Sequence, residues 1–134
     1  MDYDIEAFNN TFKNGCNGSR FNLYAYVRDV EIGSAKTELL NISSIQLSHP
    51  TKKIFSISIR YNGNDNGIEY NNVYLTECYG DFFIGRKHAL GFVIICHDEN
   101  KKIRFHLACD TTDTRDEITD IVQKLMININ KSRE

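Results

Sequence analysis

The sequence contains no tryptophan, one proline and two methionines. No apolar run approaches the roughly 20 residues that cross a bilayer, so a membrane-spanning helix is not expected. The opening MDYDIEAF is acidic and has no secretory core, and a cytoplasmic protein is the expectation. Basic residues are not in excess: 16 Lys and Arg face 18 Asp and Glu, for a net charge of −2. Nucleic-acid binding by bulk electrostatics needs a basic surface and is therefore not expected, although a local basic patch is compatible with these totals. The chain also lacks an HExxH, a glycine-rich phosphate loop and a nucleophile elbow, so it is not expected to be an enzyme. His97-Asp98-Glu99 could pose as an acid–base group with Cys78 as a nucleophile, but that tripeptide reads as a solvated turn.

What remains is ordinary globular composition. The 134 residues are 41% hydrophobic and 25% charged, which suits one folded domain spanning 1–134. There is no repeat and no linker. The cysteines are Cys16, Cys78, Cys96 and Cys109, with no CxxC pair. Three of them lie in apolar, strand-like runs, where a reduced thiol packs as a small hydrophobe. Cys96, His97, His106 and Cys109 are near one another in sequence and flank a turn at Asp98-Glu99-Asn100-Lys101. A turn centred near Glu99-Asn100 sets Cys96 opposite Ile103 and Cys109 opposite Leu90. The thiols are then roughly 20 Å apart, too far for a disulfide or a shared zinc ion. No metal or other cofactor is expected.

Local periodicity divides the chain into a helix within 1–15, seven strands over 21–110 and a helix over 114–130. Ile5, Phe8 and Phe12 mark one face of the first helix, with Gly15 as its stop. Phe21–Val27 alternates and is the first strand, with a continuation toward Ile32 and a break at 33–36. Leu39–Ile45 reads as a second strand. Gln46-Leu47-Ser48 reads as a short third, ended by His49-Pro50. Phe55–Tyr61 alternates most regularly. The polar segment 62–67 reads as a loop, and Glu69–Tyr79 as one strand with Val73, Leu75 and Glu77 on the same face. Gly80-Asp81 reads as a turn before a short Phe82–Ile84 extension, and Gly85–His88 as a second turn. Leu90–His97 and Ile103–Cys109 form a hairpin. Ile118, Ile121, Val122, Leu125, Met126 and Ile129 then form an apolar stripe at helical spacing, with Thr114 and Glu117 as a capping box.

Seven strands closed by one amphipathic helix imply a mainly β (α+β) fold. The expected form is an open barrel of antiparallel strands in two near-orthogonal sheets, with the helix in the open corner. The local sequences Phe21–Ile32, Leu39–Ser48, Asn72–Asp81, Leu90–Ile94 and Phe105–Cys109, in that order before the helix, resemble the phosphotyrosine-binding (PTB) domains of tensin-like adaptors. These form a branch of the pleckstrin-homology-like superfold.

The resemblance implies a signalling adaptor that binds an extended peptide, of Asn-Pro-x-Tyr type in many members, by strand addition beside the fifth strand and the last helix. The residues carried over are Asn72, Val73, Tyr74, Leu75, Thr76, Glu77, Cys78 and Tyr79 on the strand. Leu125, Met126 and Ile129 are carried over on the helix, where the stripe is first a packing device. Phosphate recognition calls for arginine. The strand carries no cation, and Arg86 with Lys87 is the candidate pair near a groove end, or else simply a solvated turn. Binding independent of phosphorylation is therefore expected. Two alternatives stay open: a phosphoinositide-binding domain acting at a membrane surface, and a self-assembling structural subunit. In the loop after the first strand, Arg28 and Lys36 are offset by Asp29 and Glu31.

Overall fold

The computed structural model describes residues 2–13, 20–29, 38–51, 53–61 and 63–132. Along them run α1 (Asp2–Lys13), β1 (Phe21–Asp29), β2 (Glu38–Thr51), β3 (Ile54–Tyr61) and β4 (Asn64–Tyr70). There follow β5 (Val73–Ile84), β6 (Lys87–Cys96), β7 (Lys101–Cys109) and α2 (Thr112–Ser132). The sequence-predicted stop at Gly15, the Cys16 thiol, the continuation of the first strand to Ile32 and the break at 33–36 lie outside the described residues.

The strands form one antiparallel sheet in the order β4-β3-β2-β1-β7-β6-β5. β1 bonds to β2 on one side and to β7 on the other, which joins the two sheets expected from sequence into a single one. β4 and β5 are its edges, and they do not pair. Yet they are consecutive in the chain and joined by Asn71-Asn72 alone. Two linking residues span about 10 Å, so the coiled sheet brings its edges together at that corner and opens away from it. The corner is pinned from both sides. Ser56 Oγ of β3 donates to Asn71 Oδ1 at 3.0 Å, and the His97 amide donates to the Asn72 carbonyl at 3.2 Å. Asn72 holds φ at 52°, a conformation asparagine tolerates.

The inward face of the sheet carries Leu23, Ile42, Ile57, Ile94 and Phe105, all buried. Ile118, Val122, Leu125 and Ile129 of α2 complete this core, with Ile121 and Met126 at its margin. Phe8 and Phe12 of α1 enter from the side, in ring contact with Phe92 and, for Phe12, Phe21. The β1–β2 ladder runs from Leu23↔Ile42 to Val27↔Glu38, and so leaves β2 beyond Ile42 without a strand neighbour on that side among the described residues. Asn9 of α1 fills the gap. Its side chain accepts from the Leu47 amide at 2.7 Å and donates to the Leu47 carbonyl at 2.9 Å. An edge that would otherwise be bare is thereby satisfied.

Four sequence expectations are corrected. Residues expected to form a second and a third strand are one strand, β2, with a register shift between Ile42 and Ser44. The extra residue moves the inward set from Leu40 and Ile42 to Ile45 and Leu47, and that change of parity imitates a strand break. Segment 62–67 is not a loop: Asn64 pairs with Tyr61, and the reversal between them takes two residues. Glu69–Tyr79 is split by the Asn71-Asn72 corner, so the count of seven strands holds because a false division and a missed one cancel. Gly80-Asp81 is a bulge inside β5, not a turn, with Asp81 at φ 63°.

The α2 cap also differs. The helix starts at Thr112, and Thr111 Oγ1 accepts from the Thr114 amide at 3.1 Å. Thr111 is thus the N-cap and Thr114 its third helical residue. Glu117 instead pairs with Arg20 at 2.7 Å.

Candidate functional groove beside β5

β5 bonds to β6 and, among the described residues, to no other strand. The other side of its main chain forms no ladder with a described strand. Two register shifts divide it, one between Leu75 and Glu77 and one between Tyr79 and Phe82. Thr76 is the extra residue of the first shift, and its hydroxyl donates to the Val93 carbonyl at 3.3 Å.

The shifts decide where side chains point. Val73 and Leu75 face inward and are buried. After the Thr76 bulge the inward position passes to Cys78, opposite the buried Phe92, and Glu77 turns outward beside Val93. Continuous alternation placed Glu77 with Val73 and Leu75; the bulge reverses that. Tyr74 and Tyr79 also face outward. Tyr74 stacks on His97 at 4.8 Å, and Tyr79 crosses Gly91 to share a 3.0 Å hydrogen bond with His106 Nε2. The eight residues expected to form one binding strand thus present two faces.

Helix geometry assigns the groove's other wall. At 100° per residue, Ile118, Val122, Leu125 and Ile129 share the face turned into the core. Glu117, Ile121 and Asn128 lie on one flank of that face, and Arg115, Thr119 and Met126 on the other. Arg20 meets Glu117 on the first flank, whereas Arg115 meets Asp81 of β5 at 3.3 Å on the second. The flank beside β5 is therefore Arg115, Thr119 and Met126. Of the three helix residues carried over from the family pattern, Leu125 and Ile129 are fully buried core, and Met126 is half-buried at the margin.

Sequence reasoning missed Arg115 and Thr119, and it considered Phe83 only as a side chain that could fill the groove, whereas Phe83 is exposed near the end of β5. Spacing shows Arg115 and Thr119 beside the apolar stripe, but not which flank meets a strand. Of the phosphate candidates, Lys87 is held by Asp110 at 2.9 Å, and Arg86 is exposed in the two-residue turn between β5 and β6.

Burial dominates the chemistry of the thiols. It pushes Cys78 up to about 11 and, with the Glu99 carboxylate adding to it, Cys96 up to about 12. Cys109 is also pushed to about 11 by burial, against the opposing pull of Arg115. These are neutral thiols at physiological pH. Cys96 pairs with Lys101 and Cys109 with His88, at opposite ends of the β6–β7 hairpin. The turn is centred one residue earlier than expected, and the thiols stay far apart. Among the described residues, no three His, Cys, Asp or Glu side chains are grouped to hold a metal ion. No described helix is long and apolar enough to cross a membrane.

Two hollows lie elsewhere. One, of about 450 Å³, is lined by Asn9, Asn10 and Lys13 of α1 with Ser44, Gln46 and Arg60 of the sheet. The other, of about 100 Å³, lies on the outer face of β1 and β7. Comparison of the chain with protein-family models, curated proteins and solved structures finds no match.

Proposed function

We propose that this chain is a non-catalytic interaction module that takes an extended peptide as an added strand beside β5, against the Arg115–Thr119–Met126 flank of α2. The observation that carries the reading is the one-sided pairing of β5 next to that flank. Unpaired main-chain groups give a peptide its backbone bonds, and the neighbouring side chains give it selectivity. The bulges at Thr76 and Gly80-Asp81 limit pairing to short ladders, so side-chain contacts to Met126, Cys78 and Phe83 supply much of the affinity. The strand order, the corner at Asn71-Asn72 and the closing helix support reading the sheet as a pleckstrin-homology-like open barrel of the PTB type.

The test is selection from a displayed random-peptide library, followed by hydrogen exchange on the complex. Selected peptides should slow exchange over Val73–Tyr79 and lose at least about tenfold in affinity against Met126→Glu. Protection confined to another segment, or no binder at micromolar concentration, refutes the reading. Tyrosine and phosphotyrosine forms of a selected peptide should bind within about tenfold of each other, or 1.4 kcal/mol, because no cation other than Arg115 lines the described groove.

A further inference from the structure

We propose that the hollow between α1 and strands β2 and β3 binds a small hydroxylated anion, a sugar phosphate or a sugar acid. Among the described residues, two cations, Lys13 and Arg60, line it with four neutral polar side chains and Ile45, and no acid does. Ile45 brings its main chain. The Leu47 amide and carbonyl both bond to Asn9, so both point toward α1. Main-chain direction alternates along an antiparallel strand, and no register shift separates Ile45 from Leu47. The Ile45 amide and carbonyl therefore point to the same side, past the end of the β1–β2 ladder at Ile42. No described group bonds to them there. The residue is 1% exposed, and buried main-chain groups ordinarily have partners. Asn9 is spent on Leu47, so Ile45 leaves one donor and one acceptor facing the hollow.

The side chains set the chemistry of the ligand. Asn10, Ser44 and Gln46 offer donors and acceptors suited to hydroxyl groups. Neither Lys13 nor Arg60 makes an ion pair with a described residue. The acids at flanking positions are Glu6, one turn before Asn10 on α1, and Glu69, opposite Ser58 in register. Neither lines the hollow. The Arg60 guanidinium can hold a phosphate or a carboxylate through two parallel bonds. The anionic group is assigned to Arg60, because the carboxyl end of α1 disfavours negative charge and Lys13 in its last turn offsets that. The volume of about 450 Å³ lies within the roughly 300–1,000 Å³ of small-molecule sites. No aromatic ring lines it among the described residues, so a nucleotide base would find no stacking partner. The site is separate from the β5 groove and does not depend on the peptide reading.

The experiment titrates glucose 6-phosphate, gluconate and glucose, at matched ionic strength, into the full isotope-labelled chain, and NMR shifts give both affinity and place. At least one of the two anions should bind about tenfold or more tightly than neutral glucose, and the Ile45 and Gln46 amides should shift most. Arg60→Gln should weaken that binding at least about tenfold and Lys13→Gln about threefold, whereas Arg86→Gln should leave it within about twofold. All three side chains are exposed, so each variant should fold as wild type does. Binding of the phosphate alone assigns a phosphoester, binding of gluconate alone assigns a sugar acid, and binding of both assigns a hydroxylated anion of either kind. The proposal is overturned by no binding of either anion at about 10 mM, by glucose binding as tightly, by equal losses in Arg60→Gln and Arg86→Gln, or by largest shifts away from β2.

Discussion

Gly91 permits a close approach that can be tested quantitatively. A methyl group added there would stand 2.6 Å from Tyr79 Cζ and 2.8 Å from its Cε2 and hydroxyl oxygen. That is about 1 Å inside normal contact. The Tyr79 ring cannot yield freely, because its hydroxyl is bonded to His106 and its ring packs on Phe82 with centroids 5.6 Å apart. Gly91→Ala should therefore cost about 1–3 kcal/mol for overpacking and about 1 kcal/mol for the lost hydrogen bond. In a Tyr79→Ala background the three atoms nearest the added methyl are gone, and the lower chain entropy of alanine should gain about 0.5 kcal/mol. The coupling between the two sites is thus about 2.5–4.5 kcal/mol, equivalent to about 1–2 M in urea midpoint. Urea unfolding of the four proteins measures it. A Gly91→Ala cost equal in both backgrounds to within about 0.5 kcal/mol refutes the reasoning.

His106 gives an independent readout of the same contact. Burial, reinforced by Arg104, holds the imidazole below its usual value. Displacing Tyr79 rehydrates it, so its NMR titration in Gly91→Ala should move up toward about 6.5. The folded value lies below the unfolded one. The His106 contribution to stability is therefore complete above about pH 6.5 and is lost as pH falls through the folded value. Gly91→Ala should flatten that acid decline.

Asn9→Ala removes both partners of the Leu47 main chain and should cost about 2 kcal/mol, with the Leu47 amide turning from protected to fast in hydrogen exchange. Thr111→Ala should cost about 1 kcal/mol as loss of the α2 N-cap, whereas Glu117→Gln should change the melting temperature little, because its ion pair with Arg20 is exposed. In a Cys16→Ser background, the three remaining thiols should react slowly with iodoacetamide at pH 8 in the folded protein. They should react fully in denaturant, since burial holds all three well above that pH.

Elements whose signal is periodic and local are legible in the sequence. The spacing of Ile118, Val122, Leu125 and Ile129 defines α2 and its buried face, as Phe8 and Phe12 define that of α1. Alternation along 55–61 defines β3. Bulges break the same rule silently. The inward set shifts parity after Ile42 and again after Leu75, and the first shift reads as a strand break. At the second, an acid on the apolar parity, Glu77, is the trace that a bulge leaves. The Asn71-Asn72 corner also leaves a trace, two polar residues between Tyr70 and Val73, one of them in a left-handed conformation. Its meaning needs the sheet, because only pairing shows that β4 and β5 occupy opposite edges.

The sequence by itself determined the hydrophobic faces, the closing helix and the mainly antiparallel β character, because each follows from spacing within a few residues. Tertiary structure alone decided which strand is left with an open edge and which flank of α2 stands beside it. It also brought Arg28 opposite Lys102. Those are relations between residues far apart in the chain, set by register and by the coiling of the sheet, and no local period encodes them.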